Sequence, residues 1–138
     1  EGIKGIFQTK QPVIIYPASG TGAWEAALVN TLSPGDRVLM YDTGHFASTW
    51  HKLAGKLSLD AQLLHGSWRE GAKPEEIEQA LVEDKDHTIK SVCVVHNDTA
   101  TGITSDIPAI RKAIDRAGHT SLFFVDTISS LGSIDYRH

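Results

Sequence analysis

Two textures of apolar residues alternate along this chain. Short unbroken runs rich in Val, Ile and Phe have the character of buried strands, and longer stretches with apolar residues every three or four positions have the character of amphipathic helices. Val13, Ile14, Ile15 and Tyr16 read as a first, buried strand, from which Gly20-Thr21-Gly22 leads into a helix over residues 23–30. Ser33-Pro34-Gly35-Asp36 closes that helix by turn chemistry. Residues 37–41 form a second strand, Gly44-His45 precedes a helix over about residues 46–56, and residues 61–65 make a third, short strand.

Pro74 begins a helix over residues 74–82, with Glu75 and Glu76 in the first turn, where the helix dipole favours negative charge. A fourth strand covers residues 89–95, a helix residues 107–117 with Gly118 as its stop, and a fifth strand residues 121–125. The order βαβαβαβαβ, with strands that are continuously apolar, predicts an α/β fold: a mainly parallel sheet between two layers of helices, a three-layer sandwich. Residues 66–74 read as a surface loop. Such sheets bind ligands beyond the carboxyl ends of their strands. Small polar clusters follow three of these ends: Pro17-Ala18-Ser19-Gly20-Thr21-Gly22, His96-Asn97-Asp98-Thr99-Ala100-Thr101-Gly102, and Asp126-Thr127-Ile128-Ser129-Ser130-Leu131-Gly132. Their convergence predicts one polar site sized for an anionic ligand.

Composition narrows the partners. At 138 residues, 41% hydrophobic and 22% charged, the chain suits one globular domain with a real core. Its 13 basic and 17 acidic residues give a net charge of −4, with no basic block that would track a nucleic acid. The single cysteine, Cys93, lies inside an apolar run and reads as a buried core thiol, which excludes an internal disulfide and a Cys-rich metal site. No run approaches the roughly 20 apolar residues of a membrane span, and no leader peptide is visible, so a cytoplasmic or organelle-matrix setting is expected. The chain lacks an initiator Met and stops at Ile134-Asp135-Tyr136-Arg137-His138, straight after a strand and turn. Part of a longer protein is expected.

Within the three clusters, Ser19-Gly20-Thr21-Gly22 offers unhindered N–H groups at a helix start, which suits a phosphate, although a purely structural turn is an equal reading. The dinucleotide pattern G-x-G-x-x-G fails because Glu25 holds its third glycine position, while Asp42 lies at about the spacing of a ribose contact. Asp126, at the end of an apolar strand, either receives backbone N–H groups at the turn or holds a proton on a heteroaromatic ring nitrogen, keeping the ring cationic. Thr99 and Thr101 are either ligands for a phenolic oxygen or turn formers. His96 reads as a hydrogen-bonded histidine beside the pocket, and Phe46 as a core residue or a stacking platform. No histidine has metal-ligand spacing, so no metal is expected, and Ser19 lacks the hydrolase elbow G-x-S-x-G.

Taken together, Ser19-Gly20-Thr21-Gly22-Ala23-Trp24-Glu25-Ala26-Ala27-Leu28-Val29-Asn30 with Pro34-Gly35-Asp36, then the His96 to Gly102 cluster, then Val125-Asp126-Thr127-Ile128-Ser129-Ser130-Leu131-Gly132, resemble the class V aminotransferases of pyridoxal phosphate fold type I, in the serine–glyoxylate and alanine–glyoxylate branch. The resemblance spans nearly the whole chain. It implies that Ser19, Gly20 and Thr21 cradle the phosphate of pyridoxal 5'-phosphate, that Phe46 stacks on its ring with Ile128 on the opposite face, that Thr99 meets the phenolic oxygen, and that Asp126 pairs with the ring nitrogen. It also implies a homodimer acting on small amino acids and 2-oxo acids, passing an amino group from serine or alanine to glyoxylate. Residues 1–138 would be part of the cofactor-binding large domain. The family's Schiff-base lysine lies beyond the aspartate strand; none of Lys4, Lys10, Lys52, Lys56, Lys73, Lys85, Lys90 or Lys112 has its setting. That lysine and the small C-terminal domain are therefore expected outside this chain, leaving it inactive by itself. A cysteine desulfurase, a phosphoserine aminotransferase or a lyase of the same fold remains open, as does a non-catalytic nucleotide-binding module using Gly20, Gly22 and Asp42.

Overall fold

The computed structural model describes residues 2–134. After a short helix, α1 (Gly2–Phe7), and an irregular stretch, the chain runs α2 (Gly20–Thr31), β1 (Arg37–Asp42), α3 (His45–Lys56), β2 (Asp60–His65), α4 (Pro74–Glu83), β3 (Ile89–Val95), α5 (Ile107–Arg116) and β4 (Leu122–Asp126). The four strands form one parallel sheet in the order β2-β1-β3-β4. One expectation fails here. Val13, Ile14, Ile15 and Tyr16 join no strand, and Ile14 and Ile15 stay 71% and 76% exposed. Their β-branched run has strand propensity but pairs with neither edge strand, β2 or β4, and propensity without a partner makes no ladder.

Period-two alternation in the central strands builds two cores. Val38, Met40, Cys93 and Val95 face α2 and α3, packing on Trp24, Leu28, Trp50 and Ala54. Leu39, Tyr41, Val92 and Val94 face α4 and α5, packing on Ile77, Leu81, Ile110 and Ile114. Because both faces of β1 and β3 are covered, those strands read as unbroken apolar runs. Topology explains the split. The chain steps from β1 to β2 in one direction and from β2 through β3 to β4 in the other, and crossovers of one hand then put α3 on one face and α4 and α5 on the other.

Local signals set the boundaries. Asp106 caps α5 by accepting from the N–H of Ala109 at 2.9 Å, and Pro residues open α4 and α5. Gly118 follows α5 with φ +64°, the left-handed backbone that glycine adopts at a helix stop. The loop between β2 and α4 is less superficial than its polar sequence predicts. Ala72 is buried, and Trp68 donates its indole N–H to Asp42 at 2.9 Å. Cys93 is a core thiol whose pKa burial pushes up to about 12. Among the described residues, no helix is long and apolar enough to cross a membrane.

Candidate functional site

The strand order reverses between β1 and β3, so a crevice opens beyond their carboxyl ends. Asp98 organises it. Fully buried, its carboxylate accepts the N–H groups of Phe46 at 2.9 Å and Ala47 at 3.2 Å from the first turn of α3, and of Ala100 at 3.1 Å from its own loop. Gly44 makes this approach possible. A Cβ there would lie 2.5 Å from the Asp98 carboxyl carbon. One carboxylate thus fixes both Phe46 and the loop that carries Thr99.

Asp126 ends β4 beside this crevice, 8% exposed, with Oδ1 accepting from the Ile128 N–H at 2.8 Å and Oδ2 from the Trp24 indole at 3.0 Å. Burial raises its pKa, the two donors pull it back, and the charge of Asp98 pushes it up again. No cation among the described residues pairs with it. Next to it, His96 donates its backbone N–H to the Asp126 carbonyl at 2.9 Å, and its Nδ1 lies 2.9 Å from Ser130 Oγ. Burial lowers the His96 pKa. This matches a hydrogen-bonded histidine beside the pocket.

At the start of α2, the N–H groups of Gly20, Thr21 and Gly22 have no carbonyl a turn behind them, and the Ser19 hydroxyl makes no capping bond. The Ile128 side chain covers this end, 3.6 Å from where a Gly20 Cβ would stand. Ser19, Thr21 and Thr99 are exposed and make no side-chain hydrogen bond to any described residue. Thr101 differs from Thr99, since its hydroxyl donates to the Thr43 carbonyl and accepts from the Ile103 N–H. Contacts therefore join Gly20, Asp126 and Ile128 on one side, and Phe46 and the Thr99 loop on the other. Asp42 is already engaged, with Oδ1 accepting from Ser48 Oγ and the Trp68 indole, both at 2.9 Å. The sequence singled out neither Asp98 nor Trp24, whose partners lie 52 and 102 positions away in the chain.

A family model, aminotransferase class-V, matches residues 1–137. The chain belongs to the class V aminotransferase family. Among relatives, it is 52% identical over 138 residues to a serine–glyoxylate aminotransferase from Methylorubrum extorquens, covering 99% of this chain and 34% of that protein. It is 45% identical to an L-aspartate–glyoxylate aminotransferase from Paracoccus denitrificans, covering 99% of this chain and 35% of the relative. The structure superposes on an alanine–glyoxylate aminotransferase from Nostoc sp. with a TM-score of 0.83 at 30% identity, over 96% of this chain and 34% of that one. The chain spans about a third of the length of the relatives it matches. The parallel sheet between helical layers is the fold of pyridoxal-phosphate aminotransferases of fold type I, as the sequence reading expected.

Proposed function

We propose that this class V chain is part of the large, cofactor-binding domain of a pyridoxal-phosphate aminotransferase that moves an amino group from serine, or alanine, to glyoxylate, giving glycine and hydroxypyruvate or pyruvate. The observation that carries the reading is Asp126. A buried carboxylate held by two N–H donors, with a raised pKa and no cation among the described residues beside it, is costly unless a cationic ligand arrives, and a pyridinium nitrogen is such a ligand. A short apolar reach away, the unpaired N–H groups of α2 and the uncommitted Ser19 hydroxyl suit the cofactor's phosphate. The donor set therefore fits pyridoxal phosphate at both ends.

When bound, the cofactor supplies an electron sink for negative charge developing at the substrate's α-carbon. The chain's own residues orient and tune it. Asp126 holds the ring nitrogen's proton by an ion pair that burial strengthens. Ser19, Gly20 and Thr21 would take the phosphate, Thr99 would offer a hydroxyl to the phenolic oxygen, and Phe46 and Ile128 would flank the ring. The lysine that carries the cofactor and the arginine that grips the substrate carboxylate belong to segments outside this chain, and the enzyme works as a homodimer in the cytoplasm. The full-length protein should show a visible cofactor band that bleaches with serine and returns with glyoxylate. Absence of the band after adding pyridoxal phosphate would overturn the reading. Asp126→Ala should lower turnover by orders of magnitude and leave the circular dichroism spectrum in place.

A further inference from the structure

The Asp126 carboxylate needs a cationic partner, yet one of its two oxygens is already committed to a side chain from the far end of the chain. Trp24 donates its indole N–H to Oδ2 at 3.0 Å, across 102 positions of sequence. Its own freedom is small. Trp24 is 6% exposed and stacks on Trp50 of α3 with ring centroids 5.4 Å apart and planes within 10°. Oδ1 is held independently by the Ile128 backbone N–H at 2.8 Å. Two donors on two different oxygens fix the rotation of the carboxylate, where one alone leaves it free to swing about its last torsion. A carboxylate has about four acceptor positions, so lone pairs remain for a ring nitrogen.

Position adds a second argument. Trp24 lies on α2 one turn after Gly20, on the same helix whose first amides face the proposed phosphate position, and Ile128 bridges that end to the Asp126 turn. A single rigid element thus touches both ends of the space a pyridoxal phosphate molecule would span. Resting on the pyridoxal-phosphate reading above, we propose that Trp24 is a positioning residue for the cofactor: its indole N–H, locked by the stack on Trp50, sets the plane of the Asp126 carboxylate and so the direction from which the ring nitrogen is met. The donor also opposes the effects of burial and of the neighbouring Asp98, both of which favour the neutral acid.

The test uses the full-length protein with Trp24→Phe, which keeps an aromatic ring against Trp50 and removes the donor together with part of the indole's bulk, so an Asp126→Asn background separates the two. In the wild type, the indole N–H resonance that disappears in Trp24→Phe should titrate with pH and move on adding pyridoxal phosphate. In Asp126→Asn the same resonance should not titrate. The dissociation constant for pyridoxal phosphate should rise about tenfold in Trp24→Phe, the expected loss of one hydrogen bond to a charged group. The pH dependence of the cofactor's visible band should shift with it. In an Asp126→Asn background, Trp24→Phe should change the affinity by less than about twofold, because the two residues act as one unit. Unchanged affinity and an unchanged pH profile in Trp24→Phe, or an indole resonance insensitive to both pH and cofactor, would overturn the role of Trp24 while leaving the cofactor reading intact. A wild-type protein that binds no pyridoxal phosphate would overturn the cofactor reading itself, and the inference with it.

Discussion

Asp126 and Asp84 show how environment decides what one residue type does. Both are poorly solvated carboxylates, but Asp84 accepts from the Ile89 N–H at 2.7 Å, from Thr88 Oγ1 at 2.7 Å and faces His119 Nε2 at 3.2 Å. Burial alone would raise its pKa; these partners together hold it well below the ordinary carboxylate range. Asp126 has fewer donors and a like charge nearby, and its pKa is raised. A raised carboxyl pKa is a stability cost that is absent below the unfolded pKa, near 4, and sets in as pH rises toward and through the folded value. Asp126→Asn should therefore raise the melting temperature of the cofactor-free protein at pH 7, with the gain vanishing as pH falls below about 4. Thermal unfolding across pH checks this, and a neutral-pH loss of stability would contradict the assigned strain. The same substitution should weaken cofactor binding while leaving it measurable.

Among the elements, α3 has the most instructive start. Its N-cap position, Gly44, supplies no capping side chain, and the Asp98 carboxylate from the loop after β3 takes the first-turn N–H groups instead. A cap delivered from 52 positions away ties the helix to the loop, so changing one should be felt by the other. Asp98→Ala leaves buried donors unpaired and should cost about 1–3 kcal/mol, read from denaturant midpoints. Gly44→Ala should also destabilise, since its Cβ would collide with the Asp98 carboxyl group. Combined with Asp98→Ala, the Gly44→Ala penalty should shrink markedly. Additive effects would mean that Gly44 serves the backbone alone.

Across the whole molecule, the two ends of the sheet are specialised. Beyond the amino ends, Asp84 and His119 join a polar cluster in which both of these side chains have partners, with the Ser121 N–H donating to His119 Nδ1 at 3.1 Å and His87 stacked on the ring. Beyond the carboxyl ends, Asp126 and the start of α2 keep unmet hydrogen-bonding and charge capacity. Because the Asp84 pKa is depressed, its contribution to stability is present above the unfolded pKa and is lost as pH falls through and below the ordinary carboxylate range. Asp84→Ala should cost about 1–3 kcal/mol at pH 7, with the variant and the wild type converging in strong acid. Equal stability at pH 7 would remove Asp84 from the cluster's support. The cluster at the amino ends stabilises the fold that lets the carboxyl ends hold a poorly solvated carboxylate.

Local patterns determined most of the elements. Continuous apolar runs identify β1 and β3 because both of their faces are buried, and Pro74, Asp106 and Gly118 mark helix ends through chemistry that acts within a few residues. The small polar clusters carrying Thr99 and Asp126 were legible for the same reason, since they lie at the ends of β3 and β4, whereas the Ser19-Gly20 cluster opens α2 after an irregular stretch. Val13, Ile14, Ile15 and Tyr16 were misread because a strand exists only against a partner, which composition cannot supply. Strand order, the separation of Thr99 from Thr101, the capping of α3 by Asp98 and the grip of Trp24 on Asp126 were decided by tertiary structure. Each depends on which distant residues the sheet brings within hydrogen-bond reach, and such pairings leave no periodic trace in the chain.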